Sequence, residues 1–342
     1  MARIVEKKIS YPVDNGLRRY LRNYGRDMRL PILYSDLLRS SEGVTLYDKF
    51  GNDTHWLSMM YAQDDLKHIN LALKEIYAIL KANGDLSVME HLYVDRIDLC
   101  LYGNSQPFRV RIVNKINDNF DYFYIKTADA SRIYGLELEH LLSPNRISYV
   151  LDQDTLIEEH IAGIPGQEFI TQYLLQGKVA NEIRLAKEFV KFNERCFVRL
   201  LGDMHSSNYV VEIMPDFEDV HYRIRAIDFD QQSYEPRKSI YMPQYFKQNM
   251  AIIDVGLKHM NPTTVRQYQK EERAMIASRI RYSTQQIKDL MKYMVYSRLS
   301  RPEYVSQLKE ELAEHYKDNR FLSCKSMGEI VNFSLQVLID NN

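Results

Sequence analysis

Two short stretches of the chain hold residue types that could do chemistry. Leu201-Gly202-Asp203-Met204-His205-Ser206-Ser207-Asn208 reads as a polar loop between a helix and a strand, and Ala226-Ile227-Asp228-Phe229-Asp230 places an acid at the end of an apolar strand. Phosphoryl transfer needs one carboxylate near an acceptor hydroxyl. It also needs a carboxylate and a carboxamide to hold Mg²⁺ on nucleotide phosphates, because hard cations prefer oxygen ligands. Asp203, Asn208 and Asp228 provide that set, and a hairpin between Asn208 and Asp228 would bring loop and strand end side by side. Alone, an Asp-x-x-x-x-Asn is common by chance, and a loop aspartate more often makes a turn or a helix cap. The order of the two stretches, each in its fitting context, is what carries the signal.

The elements that must position these residues follow from periodicity. Thr45–Phe50 and Thr54–Leu57 read as strands around Gly51-Asn52-Asp53, and Asp64–Lys81 as an amphipathic helix on Leu66, Ile69, Leu73, Ile76, Tyr77 and Leu80, ended at Asn83-Gly84. His91–Tyr102, Phe108–Ile116 and Phe120–Lys126 are rich in Tyr, Val, Ile and Phe and are separated by turn residues, which predicts three consecutive antiparallel strands. A short helix is predicted over Ser131–Leu142, stopped before Ser143-Pro144. Its helical wheel buries Glu137 with Ile133, Tyr134, Leu138 and Leu141, and turns Glu139 away. Leu156–Ile161 is a further strand, Gln167 to about Phe197 a helix, and Asn208–Ile213 and Tyr222–Ile227 short strands. Helices Thr263–Ile280, Ser283–Tyr296 and Pro302–Tyr316 belong to a nearly all-helical tail, whose apolar stripes read as packing. The sum is an α+β chain with a β-rich part followed by an α-rich part.

Gly-Asp-x-His-x-x-Asn followed by Ile-Asp-Phe-Asp resembles the catalytic and metal-binding signatures of the aminoglycoside phosphotransferase and choline kinase group, within the protein-kinase-like superfamily. That resemblance implies a two-lobed fold with a β-rich N-terminal lobe and a mainly helical C-terminal lobe, ATP and Mg²⁺ as cofactors, and transfer of the γ-phosphate to a hydroxyl. It implies Asp203 as catalytic base with His205 beside it, and Asn208 and Asp228 as Mg²⁺ ligands. Lys126, at the end of the third strand, would hold the α- and β-phosphates, with Glu137 on the next helix as its partner. Leu156–Gly166, with its Gly-Ile-Pro-Gly turn, resembles the linker between lobes, so backbone groups near Glu159 and Ile161 would meet adenine. The resemblance covers roughly residues 90–250. It implies domains at 89–160 and 161–342, preceded by an extension of mixed α/β character over 1–88 that matches no motif.

The chain departs from the pattern in places. Tyr102-Gly103-Asn104-Ser105-Gln106-Pro107 has one glycine where protein kinases carry a glycine-rich loop, and the whole chain has 13 glycines against 25 tyrosines. Leu201 stands where the group usually has histidine. Asp230 follows Phe229 where protein kinases have glycine; a helix cap is favoured for it over a second metal ligand. The missing glycines and His205 point to a small-molecule acceptor. A Ser/Thr protein kinase, a nucleotidyl transferase, and a catalytically inactive kinase-like nucleotide-binding or scaffold protein are the alternatives.

Bulk composition agrees with a folded protein, being 45% hydrophobic and 27% charged over 342 residues. A net charge of −1 gives no general reason to expect nucleic acid as partner. Cys100, Cys196 and Cys324 are scattered, without a C-x-x-C spacing, which fits a reducing compartment. The N-terminal stretch lacks the apolar core of a signal peptide, and no segment approaches the ~20 apolar residues of a membrane span. The expectation is a cytoplasmic protein with no membrane span.

Overall fold

The computed structural model describes residues 8–40, 42–101, 105–217 and 219–341. The chain is α+β, with its antiparallel sheet in the N-terminal half and most of its helices in the C-terminal half. It divides into two compact units. One holds Arg18–Ala128 and Ile147–His160; the other holds the described residues up to Leu17, Asp129–Arg146 and the described residues from Ile161 on.

The first unit is built on seven antiparallel strands: β1 (Glu42–Tyr47), β2 (Asp53–Met60), β3 (Leu92–Cys100), β4 (Phe108–Asn114), β5 (Phe120–Thr127), β6 (Tyr149–Asp152) and β7 (Thr155–Glu159). Their order is β1-β2-β3-β4-β5-β7-β6. Strand alternation places Ile97, Phe108, Val110, Ile112, Phe123, Ile125 and Ile157 in one core with Ile69, Ala72, Leu73, Ile76 and Leu80 of the helix α3 (Gln63–Ala82). Helices α1 (Asn15–Asn23) and α2 (Tyr34–Leu37) precede β1. Within residues 1–88, the stretch from β1 to α3 continues into the strands that follow it. Trp56, Leu57 and Ser58 of β2 pair with Cys100, Leu99 and Asp98 of β3, so β1, β2 and α3 extend the same sheet and core. Strand β6, which the sequence reading missed, is flanked by residues 26–28: the Met28 N–H donates to the Leu151 carbonyl at 2.9 Å, and the Leu151 N–H to that of Arg26 at 2.7 Å.

The second unit opens with α4 (Ala130–Leu142) and then β8 (Ile164–Pro165), α5 (Gly166–Phe169), α6 (Glu182–Arg199), β9 (Tyr209–Pro215) and β10 (Val220–Ala226). Strands β10-β9-β8 form a small antiparallel sheet. Helices α7 (Met250–His259), α8 (Pro262–Tyr282), α9 (Thr284–Met294), α10 (Pro302–Tyr316) and α11 (Met327–Asp340) complete it. The helix expected from Gln167 to Phe197 is broken. After a π-helical turn over Ile170–Leu174, Gly177 takes a left-handed φ of 66°, and Asn181 caps α6 by accepting from the Arg184 N–H at 3.0 Å. Among the described residues no helix is long and apolar enough to cross a membrane.

Helix α4 is the main departure from a one-faced amphipathic helix. Twelve of its 13 residues are buried, among them Arg132, Glu137 and Glu139. Glu139 therefore does not turn to solvent, because a helix covered on all sides must pair its charges internally. Its carboxylate pairs with the Arg199 guanidinium of α6 and accepts from Ser143 Oγ at 2.6 Å and Asn145 Nδ2 at 3.0 Å.

Candidate functional site

The loop after α6 is fixed before its side chains are considered. Leu200 ends α6 in a left-handed conformation (φ 58°), and the Gly202 N–H donates to the Gln231 carbonyl at 3.2 Å. A Cβ on Gly202 would lie 3.1 Å from that same carbonyl oxygen, so the close approach selects glycine. Asp203 follows with φ 61°, a backbone region that non-glycine residues rarely hold without a local reason. Its N–H donates to the Ile240 carbonyl at 3.1 Å, and its own carbonyl accepts from the His205 N–H at 2.9 Å.

Asn208 closes the loop. Its Nδ2 donates to the Asp203 carbonyl at 2.9 Å, with the Asp203 Oδ2 at 3.4 Å. That carbonyl can only accept, so the amide nitrogen must face it, and Asn208 Oδ1 is the atom left for a cation. The Ile227 N–H donates to the Asn208 carbonyl at 3.0 Å, so the β9–β10 hairpin sets the Asp203 loop beside Asp228. Below the loop, Asn249 donates from Nδ2 to the Met204 carbonyl at 3.0 Å and accepts from the Tyr209 hydroxyl at 3.0 Å.

The electrostatics follow from this enclosure. Burial, then the neighbouring charges of Asp228 and Glu235, push the Asp203 carboxyl up to about 7. Burial lowers His205, which the charge of Asp228 partly offsets, so the imidazole is neutral near pH 7. Its Nδ1 accepts from the Ser207 N–H at 3.3 Å, which leaves the proton on Nε2, 3.8 Å from Asp203 Oδ1.

Arg132 was not singled out by the sequence reading. From the first turn of α4 its Nη1 donates to Asp228 Oδ1 at 2.9 Å and to Asp230 Oδ1 at 2.7 Å. Asp230 therefore caps no helix; it shares a guanidinium with Asp228, and its N–H donates to Asp228 Oδ1 at 3.0 Å. Asp129 caps α4, accepting from the N–H groups of Arg132 at 3.3 Å and Tyr11 at 2.9 Å and pairing with the Lys8 ammonium. The helix lies flush on the Asp228-Phe229-Asp230 segment through Gly135, where a Cβ would come within 2.9 Å of the Phe229 Cβ. The missed signal was Arg132 itself, a long cation in a helix otherwise almost wholly apolar at its start.

The remaining expected residues lie as follows. Lys126 is buried on β5, and its Nζ donates to Glu158 Oε2 of β7 at 2.9 Å. Its partner within the sheet unit is thus Glu158, while Glu137 belongs to the other unit. Glu159, at the end of β7, gives its N–H to the Ser148 carbonyl at 3.0 Å, and its carboxylate accepts from the Ser148 N–H at 2.7 Å and Lys81 Nζ at 3.3 Å. That N–H is already used, which narrows the backbone groups this stretch could offer a base. Ile161 is buried and opens the last segment of the helical unit. Of the loop at 102–107, residues 102–104 lie outside the described residues.

Among the described residues no three His, Cys, Asp or Glu side chains gather as a cage for a metal. Mg²⁺ held together with nucleotide phosphates draws only one or two ligands from protein, and the Asp228 carboxylate and Asn208 Oδ1 are of the hard-oxygen type it takes. No known family model matches the chain, and no curated protein matches it.

Proposed function

We propose that this chain is an ATP- and Mg²⁺-dependent phosphotransferase of the protein-kinase-like kind, acting on a hydroxyl of a small molecule. The observation that carries the reading is the Asp203 loop. Asp203 sits in left-handed backbone with its carboxyl raised to about 7, accepts from the Asn208 carboxamide at its backbone carbonyl, and is brought by the hairpin beside Asp228. A group titrating near the working pH is suited to take a proton from an acceptor hydroxyl. In this reading Asp203 orients and deprotonates the acceptor, and neutral His205 lines its flank. Asn208 and Asp228 hold Mg²⁺, which would neutralise charge on the phosphates when bound. The resemblance further implies Lys126 for the phosphates, Glu137 as its partner, and backbone groups near Glu159 and Ile161 for the base.

One observation favours a second reading. Arg132 already neutralises part of the charge on Asp228 and Asp230, as it would in a nucleotide-binding scaffold without turnover. Incubation with ATP, Mg²⁺ and a panel of small hydroxyl compounds, read by mass spectrometry, separates the readings. The expected product carries one added phosphoryl group and ADP appears in step with it. Addition of AMP instead would mean nucleotidyl transfer, and ADP formation nowhere above the Asp203→Asn background would favour the scaffold.

A further inference from the structure

Arg132 is placed where a cation with oxygen ligands would be placed. Its guanidinium lies between two carboxylates one residue apart, Asp228 at 2.9 Å and Asp230 at 2.7 Å, with the Ile227 carbonyl at 3.4 Å from Nη2. Two carboxylate oxygens and a backbone carbonyl are the donor types that a divalent ion bridging Asp228 and Asp230 would use. The side chain is only 3% exposed, and a guanidinium stays charged at any working pH. Nor can it swing away cheaply. Helix α4 is buried, capped by Asp129 and fitted to Phe229 at Gly135, and an unpaired buried cation is strongly disfavoured.

We infer that Arg132 is a resident cation of the site: it holds the position between Asp228 and Asp230 that a second divalent ion would take, and so limits the site to one metal ion per nucleotide. The inference rests on the phosphotransferase reading. It makes Arg132 a positioning residue, which keeps Asp228 aimed while Asp228 and Asn208 remain the ligands of a single ion.

The test counts Mn²⁺ by electron paramagnetic resonance on the whole chain, at saturating non-hydrolysable ATP analogue, corrected for Mn²⁺ on free nucleotide. One tight Mn²⁺ is expected for the wild type and two for Arg132→Gln. Asp230→Asn, which keeps the guanidinium, stays at one, and Arg132→Gln combined with Asp230→Asn returns to one. Far-UV circular dichroism identifies any variant that fails to fold, and the wild-type count stands without the variants. Two tight ions in the wild type, or one in a folded Arg132→Gln, overturns the inference and leaves the phosphotransferase reading intact. No nucleotide-dependent Mn²⁺ in the wild type overturns that reading and the inference with it.

Discussion

In Asp203→Asn, phosphoryl transfer falls by about 10²–10⁴-fold, the range a positioned general base supplies, while the protein without nucleotide becomes more stable at pH 8. Both effects have one cause. The folded protein holds the Asp203 carboxyl near 7, whereas its ordinary value is 3.8. Between those values the folded state keeps a proton that the unfolded chain has lost, so stability falls as pH rises through the window and the loss is complete above about 7. At most ~4 kcal/mol is at stake if the whole shift is expressed. Asparagine carries no charge to desolvate, keeps the shape of the side chain and tolerates the left-handed backbone that Asp203 adopts. Thermal melts at pH 5 and pH 8 check this. The wild type loses stability between them relative to Asp203→Asn, and equal pH dependence in the two proteins would contradict the account of the loop. A variant that is both dead and more stable marks a site where stability has been given up for reactivity.

The second large effect lies at Glu139. Burial alone would raise its carboxyl, but the Arg199 charge, the Ser143 and Asn145 hydrogen bonds and the Arg195 charge together hold it below the usual range. Glu139→Ala leaves the Arg199 guanidinium buried without its carboxylate and should cost about 3–5 kcal/mol in denaturant unfolding of the helical unit. Replacing the pair by Leu and Met together should recover most of that loss, because the penalty comes from the orphaned charge. The sign in pH follows from the lowered value: the contribution of Glu139 is present above its ordinary 4.5 and is lost as pH falls below it. Glu139→Ala should lose this acid-sensitive step. A cost below about 1 kcal/mol would mean that the pair does not hold α4 to α6.

The difference between what was legible and what was not follows from the range of the forces involved. Strands β3 to β5, helix α3 and helices α8 to α10 were readable because each repeats a local pattern, and that pattern is set by one buried face. The Asp203–Asn208 loop and the Asp228 strand end were readable because hairpin geometry couples two segments close in sequence. Strand β6 was not, since Tyr149–Asp152 is four residues long and is completed by residues 26–28, far away in the chain. The place of β1, β2 and α3 in the main sheet was equally hidden, because the pairing of β2 with β3 joins residues about 40 apart. Glu139 and Arg132 were misjudged or passed over for a related reason. A helical wheel assigns one wet face, and only the surrounding helices decide that α4 has none. Lys126 shows the same limit: its position on β5 was foreseen, but its hydrogen bond to Glu158 depends on the pairing of β5 with β7.

The measurement that bears most directly on the central claim is the thermal stability of the wild type and of Asp228→Ala, each with ATP alone and with ATP plus Mg²⁺. Each shift is taken against the same protein without ligand, so any change in baseline stability from the lost Arg132 contact cancels. Ligand at about 100 times its dissociation constant stabilises by about 2.7 kcal/mol, well within reach of the method. A site built on Asp203, Asn208 and Asp228 predicts that Mg²⁺ enlarges the ATP shift in the wild type and adds nothing in Asp228→Ala. No ATP shift in the wild type, with or without Mg²⁺, or an equal Mg²⁺ increment in both proteins, would contradict it.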